Sequence, residues 1–138
     1  MIAFLDSSAL IYFFEGALPC QRAVEAVLGD LRAENAQVVL AVSRLAVLEC
    51  RVKPLRDGNS GLLTLYDAFF RQVQIVELTA SVVDIATQLR ATTTLKTPDA
   101  LQAACALRIA ERSTFITGDA GFARVQGLTV RHIKVGSQ

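Results

Sequence analysis

The sequence predicts an α/β domain in which a central, mostly parallel sheet carries helices on both faces. Three observations lead there. Short continuous apolar runs, IAFL and VVLAV, lack the alternation of a half-exposed strand and read as strands covered on both sides. Between such runs lie longer segments whose apolar residues recur at helical spacing. The chain has 138 residues, 52% hydrophobic and 20% charged, which suits one domain (residues 1–138) with its own core and argues against disorder.

Taken in order, IAFL is a strand ending on Asp6, and SSALIYFFEG after it reads as a helix capped by Ser7 or Ser8. Val24, Val27, Leu28 and Leu31 place the next helix between Pro19 and about Asn35. Val38–Val42 is the second strand, with Ser43 capping a helix expected to stop before Pro54. DGNSG at Asp57–Gly61 is a turn, and Leu62, Leu65, Tyr66, Phe69 and Phe70 form the apolar stripe of the helix beyond it. Val73–Leu78 is a third strand, followed from about Ala80 by a helix with Val82, Ile85, Ala86 and Leu89 on its buried face. In KTPDALQAACAL, Thr97 reads as a cap, with Pro98 and Asp99 as the first two helical residues. Thr114–Thr117 is the fourth strand, and a last one lies near Leu128–Ile133.

Composition limits the functional classes. The longest apolar run, ALIYFF, has six residues, against about 20 for a membrane span. No basic region precedes the first apolar stretch, so a signal peptide is not expected. Three cysteines (Cys20, Cys50, Cys105) without a CxxC pattern read as reduced thiols in a cytoplasmic protein. A net charge of +1 neither demands nor excludes a nucleic-acid partner.

The acids are more informative. Asp6 and Asp119 stand just beyond strand ends, where ligands bind in open parallel sheets. Glu49 falls within the apolar stripe of Leu45, Leu48 and Val52, an unusual place for an unpaired charge. Asp99 lies in a first helical turn, which favours an anion. Each has an ordinary alternative. Asp6 also suits a helix cap, Glu49 a partner of Arg44 or Arg51, Asp99 a helix-start residue and Asp119 a turn. Were the four to converge, carboxylates about 4 Å apart would repel by roughly 4 kcal/mol at an effective dielectric near 20. A cation would relieve that repulsion, and an all-oxygen set favours Mg²⁺ or Mn²⁺ over zinc.

With DSSALIYFFEG, the acid in VLEC, TPDALQAACAL and TGDAGFARVQGLTV in this order, the chain resembles a PIN-domain ribonuclease of the VapC toxin type. The resemblance spans essentially the whole chain. It implies a three-layer α/β/α PIN-like fold that hydrolyses RNA with Mg²⁺ or Mn²⁺, leaving a 3′-hydroxyl and a 5′-phosphate. Carried over, Asp6, Glu49, Asp99 and Asp119 are the catalytic and metal-binding acids, with Ser7, Ser8 and Thr117 in support. It further implies a cognate antitoxin that inserts a segment near the acidic groove, and a homodimer, to which Leu62–Phe70 would contribute a face or else pack internally. Two positions depart from the family pattern, which often has asparagine where Ser8 and Gly118 stand. Arg44, Arg51, Lys53 and Lys96 are candidates for holding an RNA backbone, or are solvated charges balancing nearby acids. His132, the only histidine, reads as a strand-edge residue.

Other readings fit less well. A haloacid-dehalogenase-like phosphatase needs a second aspartate where Ser8 stands, a receiver domain needs an acid after Val38–Val42, and a nucleotide-binding module needs a glycine-rich loop after the first strand. A PIN-like RNA- or protein-binding module without catalysis remains the rival from another class, and a housekeeping RNA-processing nuclease the rival among enzymes.

Overall fold

Along the first strand, Ile2 and Phe4 face one side of the sheet while Ala3 and Leu5 face the other, and all four are buried. A strand apolar on both faces belongs in the middle of a covered sheet. The computed structural model, which describes residues 1–135, places it there. The elements are β1 (Ile2–Leu5), α1 (Ser7–Glu15), α2 (Leu18–Glu34), β2 (Val39–Ser43), α3 (Arg44–Arg56), α4 (Ser60–Phe70), β3 (Gln74–Val76), α5 (Ala80–Thr92), α6 (Thr97–Arg108), β4 (Ser113–Thr117), a 3-10 turn (Ala120–Phe122) and β5 (Val130–His132). The strands run in the order β3-β2-β1-β4-β5, every pair parallel.

Two cores flank the sheet. Ala3, Leu5, Val42 and Ile116 meet α1–α4, while Ile2, Phe4, Ala41 and Phe115 meet α5 and α6. Phe4 and Phe115 are register partners with stacked rings, centroids 5.5 Å apart. On α6, the buried alanines 100, 103, 104 and 106 let that helix lie close to the sheet. This is the three-layer α/β/α arrangement expected from sequence. Successive connections from β1 lead outward to β2 and β3, and the chain then returns to the other side for β4 and β5. The strand order therefore reverses between β1 and β4, where open parallel sheets form their ligand crevice.

Several local expectations are corrected. The first helix is capped by Asp6, whose Oδ1 accepts from the Ala9 amide, and Ser7 and Ser8 are its first two residues. Helix α6 starts at Thr97 rather than after it, making Pro98 its second residue and Asp99 its third. Lys96 holds the cap position without a side-chain bond, and Pro98 has no N–H to donate to one. Helix α3 runs through Pro54 to Arg56. It ends instead in a Schellman motif, with the Asn59 amide on the Pro54 carbonyl at 2.9 Å, the Gly58 amide on Leu55, and Gly58 at φ 66°. One lost intrahelical bond near a helix end is a small cost beside that closure. Leu45, Leu48 and Val52 do not face the core. Leu48 and Val52 are 56% and 45% exposed, and α3 buries Ala46, Val47, Cys50 and Pro54. Leu65 is likewise exposed, while Leu62, Tyr66, Phe69 and Phe70 pack internally. Strands β3 and β5 are shorter than their apolar runs, as edge strands often are.

Among the described residues, Gly58 closes the one α-helix whose terminus requires a left-handed residue. Gly58→Ala is expected to cost about 1–2 kcal/mol, read as a lowered urea midpoint with unchanged slope.

Candidate active site at the carboxyl edge of the sheet

Asp6 leaves β1 directly beneath the start of α1 and is 4% exposed. Its carboxylate survives there because three groups from two chain segments, α1 and β4, donate to it. Oδ1 accepts from the Ala9 amide (3.0 Å) and the Ser8 hydroxyl (2.6 Å), and Oδ2 accepts from the Thr117 hydroxyl (2.6 Å). Burial still outweighs these bonds and holds the Asp6 carboxyl above its ordinary pKa, with the nearby Asp99 charge adding to the rise.

The same hydroxyls fix the loop after β4. The Gly118 amide donates to Ser8 Oγ at 2.9 Å, and the Asp119 amide donates to Thr117 Oγ1 at 2.9 Å. Asp119 then receives the Gly121 amide on Oδ1 (2.8 Å), opening the 3-10 turn. His132 is the register partner of Thr117 on β5, and its Nε2 lies 3.1 Å from the Gly118 carbonyl. It is an edge-strand residue, as expected, but one that abuts this loop.

Glu49 is held from the other side. Ser7 Oγ donates to its Oε1 at 2.7 Å, and Gln102 Nε2 reaches both Glu49 Oε1 (3.2 Å) and Ser7 Oγ (2.9 Å). Gln102 is 2% exposed and takes the Ser43 hydroxyl on its own Oε1 at 2.8 Å. Ser43 also caps α3 through the Ala46 amide. Neither arginine considered as a partner for Glu49 pairs with it. Arg44 grips Glu77 at 2.7 Å, and Arg51 lies 3.9 Å from Asp67. The unusual setting of Glu49 thus comes from a polar network, not from the apolar stripe.

Gln102 was not singled out from sequence. Its signal was available: it lies three residues beyond Asp99, on the same face of α6, as the one polar side chain in ALQAACA.

Asp99, at the α6 start, is half-buried, and its carboxyl is pushed up first by burial, then by the charges of Asp119 and Glu49. Lys96 alone opposes that rise. Asp99 therefore lies in the field of Asp119 and Glu49, and Asp6 in that of Asp99, at the β1/β4 switch point. Yet among the described residues no three His, Cys, Asp or Glu side chains stand close enough to cage an ion as they lie. Asp6 and Glu49 are turned toward protein donors. The donor chemistry fits a hard divalent cation, since every candidate ligand is a carboxylate oxygen, and burial followed by neighbouring acids raises the proton affinity of Asp6 and Asp99.

Of the other basic candidates, Arg44 and Arg51 line a groove with Leu48, Val52 and Leu78, and Lys53 lines an open recess with Glu15 and Asp57. The structure does not bring these three to the acids. Cys50 and Cys105 are buried free thiols whose pKa burial raises to about 12, so they are inert.

Thr117→Val is expected to lower stability by about 1.5–3 kcal/mol near neutral pH, the worth of a hydrogen bond to a charged group. The sign with pH follows from Asp6. Its raised pKa would rise further without the hydroxyl, so the loss shrinks as acid protonates the carboxyl. Urea titrations of both proteins from neutral pH down toward the ordinary Asp value of 3.8 would follow this difference.

The sequence profile described as "PIN domain" matches residues 3–128. Among curated proteins none matches the chain in sequence. Solved structures do. VapBC2 of Rickettsia felis, bound to a DNA fragment from its promoter, shares 21% identity at a TM-score of 0.71, covering 97% of this chain and 100% of its own. VapBC-1 of nontypeable Haemophilus influenzae superposes with a TM-score of 0.73 at 16% identity, over 96% of this chain and 98% of that one. VapC20 of Mycobacterium tuberculosis, described as a toxin that cleaves the sarcin–ricin loop, gives 0.68 at 14% identity, over 88% and 92% of the two chains. At these identities the likeness is one of fold.

Proposed function

The chain belongs to the PIN-domain family, and from that premise we propose that it is a metal-dependent endoribonuclease, the toxin of a toxin–antitoxin pair. The observation that carries the reading is the meeting of Asp6, Glu49, Asp99 and Asp119 around the β1/β4 switch point, where Asp6 and Asp99 are both pushed toward protonation by burial and by neighbouring carboxylates. Mg²⁺ or Mn²⁺, when bound, supplies positive charge for the phosphate and acidity for water.

The chain's own residues do the rest. Asp6 and Asp99 are the principal ligands, with Glu49 and Asp119 completing the set. Ser8 and Thr117 keep the Asp6 oxygens oriented, and Ser7 with Gln102 does the same for Glu49. Such outer partners fix ligand geometry before substrate arrives. Lys96, whose charge already acts on Asp99, is placed to meet an RNA phosphate. No side-chain nucleophile is needed: water attacks, and the cut leaves a 3′-hydroxyl and a 5′-phosphate.

Two partner surfaces follow. An apolar cavity of about 450 Å³ opens between α1, α2 and α4, lined by Leu10, Phe13, Val24, Leu28 and Phe69 with Glu25 and Arg32 at its rim. We assign it to an apolar segment of the cognate antitoxin, since it adjoins the helix that Asp6 caps. The exposed stripe of Leu48, Val52 and Leu55, with Leu78, is assigned to the homodimer, because a second copy would bury the same apolar row against itself. No helix among the described residues is long and apolar enough to cross a membrane, and a cytoplasmic setting is part of the proposal.

One observation favours a second reading. Because no three acids among the described residues cage an ion as they lie, a PIN-like binding module without catalysis is the alternative.

Cleavage of total RNA by purified, antitoxin-free protein separates the two. Discrete cuts that require Mg²⁺ or Mn²⁺, stop with chelator and disappear in Asp6→Asn and Asp99→Asn support the nuclease. Folded wild-type protein that leaves several RNA pools intact points to the binding module. Ser8→Ala is expected to lower cleavage by about 10- to 100-fold without abolishing it.

Metal binding has a readout apart from activity. At Mn²⁺ about 100-fold above its Kd, the wild-type fold gains about 2.7 kcal/mol. Asp99→Asn should lose most of that gain, measured by denaturation with and without metal.

A further inference from the structure

One polar group against the β4 loop has no assigned role so far: the hydroxyl of Tyr12. Tyr12 lies four residues after Ser8 on α1, and so on the same helix face. Ser8 receives the Gly118 amide, and Tyr12 lies against the same glycine one turn further on. A Cβ built on Gly118 would stand 2.6 Å from Tyr12 Cε2, 2.9 Å from Cζ and 3.2 Å from the hydroxyl oxygen. The phenol end of Tyr12 therefore occupies the space where a side chain at position 118 would begin. Only glycine leaves room for it, although Gly118 has no positive φ that would otherwise require one.

Residue 118 separates Thr117, which holds Asp6, from Asp119. Helix α1 thereby sets the phenol end of Tyr12 against the loop that joins Thr117 to Asp119. Among the described residues the Tyr12 hydroxyl has no hydrogen-bond partner, and no buried side-chain oxygen is left unpaired, so it faces solvent. A neutral donor suits this place. A lysine or arginine there would pair with the carboxylates, whereas a phenol donates without cancelling their charge.

Resting on the ribonuclease reading, we propose that Tyr12 is a substrate-binding residue whose hydroxyl donates a hydrogen bond to a phosphate oxygen of the RNA lying across the β4 loop. Gly118 is its complement, the residue whose missing side chain admits it. Tyrosine hydroxyls are common phosphate donors, and such contacts set the register of the backbone without reading sequence. The contact therefore acts alike on RNAs of different sequence.

The test uses Tyr12→Phe, which keeps the ring and its packing on Gly118, and Gly118→Ala, which displaces it. With a fluorescein-labelled single-stranded RNA containing a mapped cleavage site, Tyr12→Phe should raise KM about 3- to 10-fold, as for loss of one hydrogen bond. Its kcat and melting temperature should stay at wild-type values. Gly118→Ala should reproduce the KM defect, and adding Tyr12→Phe to it should bring no further rise, because the same hydroxyl is lost twice. A wild-type KM for Tyr12→Phe overturns the proposal and leaves the ring, not the hydroxyl, as what matters. So do multiplying defects in the double variant.

RNA affinity by fluorescence anisotropy, with Asp99→Asn as background, reads the same contact without cleavage. Weakening by Tyr12→Phe there supports the contact and no change refutes it, whether or not the wild-type protein proves to be a nuclease. Should Gly118→Ala fail to fold, the Tyr12→Phe comparison decides alone.

Discussion

A carboxylate with almost no access to water sits where β1 stops, and the edge of the sheet is organised around satisfying it. Removing an ion of this kind from water costs several kcal/mol, while each hydrogen bond to it returns about 1.5–3 kcal/mol. Asp6 has three such bonds, from the α1 amide end, from Ser8 and from Thr117. Even so, desolvation remains the larger influence on its proton affinity. The donors cannot be spared, and they come from segments far apart in sequence. Satisfying Asp6 fixes α1 to β1 and α1 to the end of β4. Since Ser8 and Thr117 also accept the amides of Gly118 and Asp119, the fourth acid is placed by the same bonds that hold the first.

Two adjacent serines divide the site between them. Ser8 points to β4 and Ser7 to α3, where Glu49, Gln102 and Ser43 form a second polar chain running to α6. Both chains meet above the β1 end. Little positive charge offsets the acids there: among the described residues, Lys96 opposes the rise in the Asp99 pKa. An edge rich in ordered carboxylates and poor in cations is poised for a ligand that brings charge with it.

The sequence made the large features legible because they rest on patterns of burial. Continuous apolar runs such as IAFL mark covered strands, and the acid after each of β1 and β4 marks the edge where ligands bind. It misled where two patterns coincide. Leu45, Leu48 and Val52 have the spacing of a core-facing stripe, yet α3 buries smaller residues, Ala46, Val47 and Cys50, and leaves Leu48 and Val52 outside. Glu49 was thus noticed for a reason that the structure replaces with another. Pro54 suggested a helix end because a proline rule is local, whereas the Schellman closure at Gly58 depends on residues beyond it. Gln102 and Tyr12 were passed over because their roles arise from contacts between distant elements. A glutamine among alanines and a tyrosine in ALIYFF acquire meaning only when Ser7 and Gly118 are beside them.

On the proposed reading, this edge gathers a divalent cation through Asp6 and Asp99. Paramagnetic broadening of backbone amide signals by substoichiometric Mn²⁺ tests it without RNA and without mutation. The amides of Asp6, Asp99, Gly118 and Asp119 are expected to broaden first, ahead of those on β3, α2 and the outer face of α5. Broadening centred elsewhere on the chain, or uniform loss of signal with no centre at this edge, would contradict it.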